Sequence, residues 1–272
     1  MAMASAAAES PRVAILTRPA GRNEALAARL REAGWLPCIL PALEIRALPA
    51  ASQMLPRPAD YDMVVFVSGN AARQYLDQWT QADGPSAWPA GVIAATVGPA
   101  SAQALRESDS FGANTTVLHP SESAPSHDSE ALWDVLQGLP RLPARVLLVR
   151  GTQGRDWLGD KLEARGAAVT RHAAYQRHPA AWDAGQLERL RRWADAGLCA
   201  TWLITSGEGA DAVRARLDEA GLAAWWAGCG FVLTHPSLAR RVPAACHDAG
   251  APAMVKICLP NDESIFQAFV AA

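Results

Sequence analysis

The sequence predicts an α/β protein of two similar domains, each a parallel sheet flanked by helices. Three observations carry this. Short apolar runs recur along the chain, and each is followed by a helix-like pattern. The runs are continuous rather than alternating, so both faces of the sheets they form are expected to be covered. Short motifs at the ends of the runs also occur twice, in the same order. Strand and helix signals in alternation give parallel sheets through right-handed crossovers. A length of 272 residues, half of them apolar, suffices for two cores.

The elements follow in chain order. Val13 to Leu16 precedes a helix from about Arg22 to Ala33, and Met63 to Val67 precedes one from about Asn70 to Trp79. Val92 to Val97 leads into Ala100 to Glu107, and Val146 to Val149 into Arg155 to Arg165. Ser121 to Ser129 is a polar loop, in which Asp128 or Ser129 is suited to cap a helix beginning at Glu130. Trp202 to Ile204 precedes Glu208 to Ala220, and Phe231 to Leu233 precedes Ser237 to Val242. Val255 to Cys258 leads into a last helix from about Asp262. The Ala-rich start, residues 1–11, reads as a disordered lead-in; it lacks the basic and long apolar regions of a signal peptide.

The duplication is visible in residues. Arg18-x-x-Gly21-Arg22 with Leu26, Leu30 and Gly34 matches Arg150-x-x-x-Gly154-Arg155 with Leu158, Leu162 and Gly166. Counted from the first Arg, both leucines and the closing Gly fall at equal offsets. Val67-Ser68-Gly69-x-x-Ala72 matches Thr205-Ser206-Gly207-x-x-Ala210. Gly98-Pro99-x-x-Ala102 matches His235-Pro236-x-x-Ala239 more loosely.

Composition excludes several classes. The net charge of −2 argues against nucleic acid as partner. No uncharged apolar run approaches the ~20 residues of a membrane span. The five cysteines are odd in number and unpaired in spacing, so reduced cytosolic thiols are expected. The six histidines show no metal-ligand spacing, and the ten tryptophans are dispersed and read as core or interface. GxSxG, P-loop and HExxH signatures are absent, and Gly151-x-x-Gly154 lacks the third Gly and acidic partner of a dinucleotide site.

Every repeated motif lies where a strand ends and a helix begins. There free N–H groups and the helix dipole point outward, and doubly wound folds bind ligands. Ser68, Gly69, Gly98, Ser101, Thr152, Thr205, Ser206 and Gly207 are small and would let a ligand approach the backbone, and Asn70 beside them is a further candidate substrate contact. Arg18, Arg22, Arg73, Arg150 and Arg155 sit nearby and suit a polyanion rich in carboxylates. Two such edges facing each other would make a donor-lined cleft. A plainer reading stands beside each residue: Ser and Thr after a strand also serve as helix caps, and Arg near a helix start is often solvated surface. His235, with Ser237 beyond it, is a candidate base or only a turn cap. Tyr175 is a candidate proton donor or only a packed tyrosine.

These residues resemble the uroporphyrinogen-III synthase family from about Arg12 to Phe269. The matching pieces are Ile15-Leu16-Thr17-Arg18-Pro19, Phe66 to Ala71, Val97-Gly98-Pro99-Ala100-Ser101-Ala102, Ser129 to Leu132, Val146 to Gly151, Ala174-Tyr175-Gln176-Arg177, Ile204 to Gly207 and Thr234-His235-Pro236-Ser237-Leu238-Ala239. Two positions depart from the family: Val67 and Ser101 each stand where Thr is usual. The apolar Trp225 to Gly228 stretch is a further oddity, expected to pack a partner helix.

The resemblance implies a discontinuous first domain, 12–42 with 176–272, and an inserted second domain, 46–172. Residues 36–48 and 169–178 would form a two-stranded β linker, with the active site in the cleft between the domains. It implies a cytoplasmic monomer without metal or organic cofactor. The implied substrate is hydroxymethylbilane, a linear tetrapyrrole with carboxylates on its acetate and propionate arms. Hydroxide leaves, ring D inverts through a spiro intermediate, and uroporphyrinogen III forms. Tyr175 is then the candidate acid, and the arginines and strand-end donors the substrate contacts. Two alternatives stay open: a non-catalytic tetrapyrrole or small-anion binding module of a regulator, and a nucleotide-dependent reductase.

Overall fold

The apolar runs become central strands because each is bounded by turn residues and has no polar side to turn to water. In the computed structural model, which describes residues 11–49, 55–111, 115–243 and 254–271, the order is β1 (Arg12–Leu16), α1 (Glu24–Glu32), β2 (Trp35–Ile39), β3 (Leu43–Ala47), β4 (Met63–Phe66), α2 (Gly69–Asp83), β5 (Ile93–Thr96), α3 (Pro99–Arg106) and β6 (Val117–Leu118). There follow α4 (Ser129–Gln137), β7 (Arg145–Gly151), α5 (Trp157–Ala164), β8 (Ala168–Pro179), α6 (Ala184–Asp195), β9 (Ala200–Ile204), α7 (Gly207–Glu219), α8 (Ala223–Ala227), β10 (Gly230–Leu233), β11 (Val255–Ile257) and α9 (Asp262–Val270). The expected lead-in falls almost wholly outside the described residues, as does Cys246. The other four cysteines are free thiols.

The chain divides into two compact units, residues 1–44 with 178–272 and residues 45–177. The first holds a parallel sheet in the order β11-β10-β9-β1-β2. Ala14, Leu16, Leu203 and Val232 face α1 and α9, packing on Leu26, Leu30, Ile265 and Phe269. Ile15, Trp202, Ile204 and Phe231 face the other way, onto Leu190, Val213, Leu217 and Trp226 of α6, α7 and α8. The second sheet runs β3-β8-β7-β4-β5-β6. Val64, Phe66, Leu147 and Val149 pack on α2 and α3, while Met63, Val65, Val146 and Leu148 pack on α4 and α5. Every second residue therefore belongs to an opposite core, which is why the runs carry no polar alternation. Each fully buried Leu or Ile contributes about 1.5–3 kcal/mol by leaving water.

The repeated units share conformation. Gly34 and Gly166, the paired closing glycines, both follow a helix with φ of 80° and 88°. That left-handed turn favours glycine and ends α1 and α5 alike. Ser68 and Ser206 cap α2 and α7, Asp128 caps α4, and Asn261 caps α9.

Several expectations need correction. Residues 36–48 are not one strand: β2 lies on the edge of the first sheet and β3 on the edge of the second. The break falls at Leu40 to Ala42, where Pro41 has no N–H to give a ladder. The expected helix Ser237 to Val242 is a short 3-10 turn, Pro236–Arg240. The helix expected from Arg155 starts at Trp157, because Arg155 and Asp156 are held in side-chain ion pairs before it. Helix α6 has no counterpart among the expected elements, although Asp183 and Gln186 form a capping box at its start. Trp226 of α8 packs edge-on to Trp202 and Phe231, two strand residues, rather than on a helix alone.

Candidate active site

In a parallel sheet the helix after each strand starts at the carboxyl edge, so the sequence places its small and hydroxyl residues there. In the second unit, Ser68 sits in extended conformation between β4 and α2. Its Oγ accepts the Ala71 N–H at 3.0 Å and lies 3.1 Å from the Tyr175 hydroxyl. Gly69 and Asn70 open the first turn of α2. Gly98 caps α3 in extended conformation, and a Cβ there would fall 2.8 Å from Cβ of His127, so no larger residue fits unmoved. Ser101, one turn into α3, is buried.

After β7 the chain forms a loop tied by charge. Arg150 donates to Asp156 at 2.9 Å and to the Gly154 carbonyl at 2.6 Å. Asp156 also accepts from Arg171 at 2.5 Å. Arg155 makes a two-pronged pair with Glu130 of α4 at 2.7 and 3.0 Å. Thr152 is exposed, and its N–H donates to the Tyr175 carbonyl at 2.9 Å.

In the first unit, Arg18 follows β1 and is buried, 8% exposed. Its Nη1 donates to Asp262 at 2.6 Å, while Nε and Nη2 are buried without an acceptor among the described residues. Asn23 donates to the Arg18 carbonyl at 2.8 Å. The N–H groups of Glu24 and Asn23 hold the Glu24 carboxyl below the usual range. Ser206 caps α7 through the Gly209 N–H at 3.0 Å, with Thr205 before it and Gly207 opening the helix. His235 is exposed, and its Nδ1 accepts the Ser237 N–H at 3.1 Å with the Ser237 hydroxyl 2.6 Å away. Its visible work is to cap a turn.

Thus Ser68, Tyr175, Gly151 and Thr152 are brought together in one unit, and Thr205, Ser206 and Gly207 form a corner of the other. Sequence reasoning missed Asp262, Asn23, Gln78 and His172. Gln78, buried in α2, donates through Nε2 to the carbonyls of Leu48 at 2.6 Å and Ala174 at 3.0 Å. Its Oε1 must then accept, so His172 donates from Nε2 at 2.8 Å. A groove of about 560 Å³ between α2 and α3 is lined by Arg73, Asp77, Thr80, Glu107 and Asp109 among others, and Ser68 is not among its lining residues. Among the described residues no group of His, Cys, Asp or Glu could hold a metal ion, and no helix is long and apolar enough to cross a membrane.

Burial of His172 depresses its imidazole pKa. The unfolded chain then binds that proton more readily, so stability present above about pH 6.5 is lost as pH falls through the folded value. We expect urea unfolding at pH 7.5 and 5.5 to show a smaller pH loss in His172→Gln, which keeps the donor, than in the wild type. Equal losses would show that His172 contributes nothing to acid sensitivity.

The family model described as Uroporphyrinogen-III synthase HemD matches residues 24–247. The chain belongs to the uroporphyrinogen-III synthase family. It is 32% identical over 197 residues to the uroporphyrinogen-III synthase of Salmonella typhimurium, covering 71% of this chain and 75% of that one. To the Escherichia coli synthase it is 28% identical over 233 residues, covering 83% and 88%. The crystal structure of a mutant uroporphyrinogen III synthase from the extremely thermophilic bacterium Thermus thermophilus aligns with TM-score 0.54 at 18% identity, over 96% of this chain and 97% of that one. The Helicobacter pylori uroporphyrinogen-III synthetase aligns with TM-score 0.53 at 13% identity, over 96% and 99%. The structural likenesses speak for the α/β fold with parallel sheets flanked by helices. The family match carries the enzyme class, a synthase of porphyrin and haem biosynthesis.

Proposed function

We propose that this chain converts hydroxymethylbilane to uroporphyrinogen III, holding the substrate by the carboxyl edges of both sheets. The family match carries the reading. Each sheet taken by itself ends in a hydroxyl-capped helix start, Ser68 in one and Ser206 in the other; Arg18 follows β1, and Arg150 is the last residue but one of β7. Such edges offer N–H groups and positive charge to a chain of carboxylates. The compact units 1–44 with 178–272 and 45–177 support the domain division 12–42 with 176–272 and 46–172. A cytoplasmic monomer remains part of the reading and rests on the family resemblance.

The chemistry asks little of the protein in bond breaking. The pyrrole nitrogen lone pair expels hydroxide, and Tyr175 gives that group a proton so that water leaves. When the ring closes, the carbon that has bonded loses its hydrogen as a proton, which restores the phenol. The larger task is to fold the substrate so that ring D inverts before closure, since unguided closure gives isomer I. Excluding water keeps the intermediate from being recaptured.

The test is turnover. A substoichiometric amount of purified chain, given hydroxymethylbilane, is expected to yield many equivalents of isomer III. Binding without turnover would mark a non-catalytic module and end the proposal.

A further inference from the structure

Among the described candidate residues, the hydroxyl of Tyr175 meets another candidate, Ser68, and three features outside the tyrosine put it there. The first is a register shift. Arg150 of β7 pairs with Ala173 of β8, yet Gly151 pairs with Tyr175, so Ala174 is an extra residue, a β-bulge. Regular alternation would have set Ala174 opposite Gly151 and turned Tyr175 to the opposite face. The bulge instead puts Ala174 and Tyr175 in the same core, with Leu147 and Val149. Its carbonyl is not wasted: Ala174 accepts from the Leu48 N–H at 3.1 Å and from Gln78 at 3.0 Å. The second feature is Gly151. A Cβ there would lie 3.0 Å from Cζ and 3.3 Å from the hydroxyl of Tyr175, so the ring fits only over a bare backbone. The third is Ser68, 3.1 Å from the phenol oxygen.

Ser68 Oγ already accepts the Ala71 N–H, which leaves it its hydrogen and one lone pair, so either hydroxyl can be the donor while the phenol keeps its proton, and only Ser68 can donate once the phenol gives its proton away. An accepted hydrogen bond from a helix amide strengthens the donor that follows it in the chain of bonds, and the positive end of α2 favours negative charge at its start. A serine so placed supports an oxygen that is losing its proton.

We propose that Ser68 is a positioning residue for Tyr175, donating to the phenol oxygen as the phenol gives up its proton, and that Gly151 and the Ala174 bulge fix the ring against it. Ser68 then acts through Tyr175 and does not contact substrate. This rests on the reading of Tyr175 as the acid in the synthase reaction.

Five variants test it: Ser68→Ala, Ser68→Thr, Ser68→Asp, Tyr175→Phe and the Ser68→Ala/Tyr175→Phe double variant. Ser68→Ala is expected to lower kcat about tenfold, a part of the 10²–10⁴ that a positioned acid contributes, with KM within about twofold. Ser68→Thr, which keeps the hydroxyl, is expected to recover most of it. Ser68→Asp keeps the helix cap but has only acceptors to offer, so kcat should fall while the unfolding midpoint stays near wild type. The double variant is expected to match Tyr175→Phe alone. Multiplying effects, a rise in KM in place of the fall in kcat, or full activity in Ser68→Asp would overturn the proposal and make Ser68 a substrate contact or only a cap. A second readout needs no turnover: with three tyrosines in the chain, a ¹³Cζ-tyrosine spectrum resolves Tyr175 by its loss in Tyr175→Phe. Ser68→Ala should move that resonance. An inactive wild type whose resonance moves would sink the functional reading and leave the contact standing. An active wild type with an unmoved resonance would sink the contact alone.

Discussion

Arg18→Met is expected to raise the stability of the protein and lower its activity. The guanidinium is buried, yet of its three nitrogens only Nη1 has an acceptor among the described residues, Asp262 at 2.6 Å. Desolvating a charge costs several kcal/mol, and one ion pair to a half-exposed carboxylate offsets only part of that. Methionine has a similar length and no charge, so the desolvation cost of the guanidinium disappears, and because Asp262 is half-exposed no buried charge is left without its partner. Asp262 returns to water and still sits favourably in the first turn of α9. A residue that costs stability where it stands is expected to contribute to function, and on the reading proposed above that function is to meet substrate carboxylates. Loss of that charge should lower kcat/KM at least about thirtyfold, the equivalent of about 2 kcal/mol. Chemical unfolding together with steady-state kinetics decides. A variant that loses stability and activity in step would make Arg18 a structural residue.

Tyr175→Phe is expected to lower kcat about 10- to 100-fold while isomer III remains the main product. A general acid is usually worth 10²–10⁴. A loss at or below the foot of that range applies here because the pyrrole nitrogen can expel hydroxide unaided. Isomer choice belongs to the shape in which the substrate is held, which the phenylalanine ring leaves intact over Gly151. Turnover and porphyrin chromatography on the same samples separate the two effects. Complete loss of activity, or a shift to isomer I, would mean that Tyr175 holds the substrate's shape rather than donating a proton.

Much of this was legible in the sequence because it is local. Strands such as Met63–Phe66 show themselves by unbroken apolar residues, and Ser68 and Ser206 by a hydroxyl and a glycine at the strand end. The equal offsets to Gly34 and Gly166 reported a shared helix ending. What the sequence hid depends on distance or register. Arg18 and Asp262 are 244 positions apart, and no pattern near either names the other. The Ala174 bulge exists only in the pairing of two strands, so the side to which Tyr175 turns could not be counted from β8 alone. Gln78 reads as one more polar residue in a helix until its amide is seen to serve Leu48, Ala174 and His172 at once. Helix α6 exposes most of its length and buries Leu190 fully, which left its apolar signal weak beside its charge.

The central claim is that the carboxyl edges of both sheets receive the substrate. Amide hydrogen exchange in the presence of uroporphyrinogen III, kept under anaerobic conditions, tests it most directly. Slowed exchange is predicted at residues 69–72 and 207–210, the helix starts behind Ser68 and Ser206, in both units. Slowed exchange confined to the groove beside Arg73 and Asp77, or to one unit only, would contradict it.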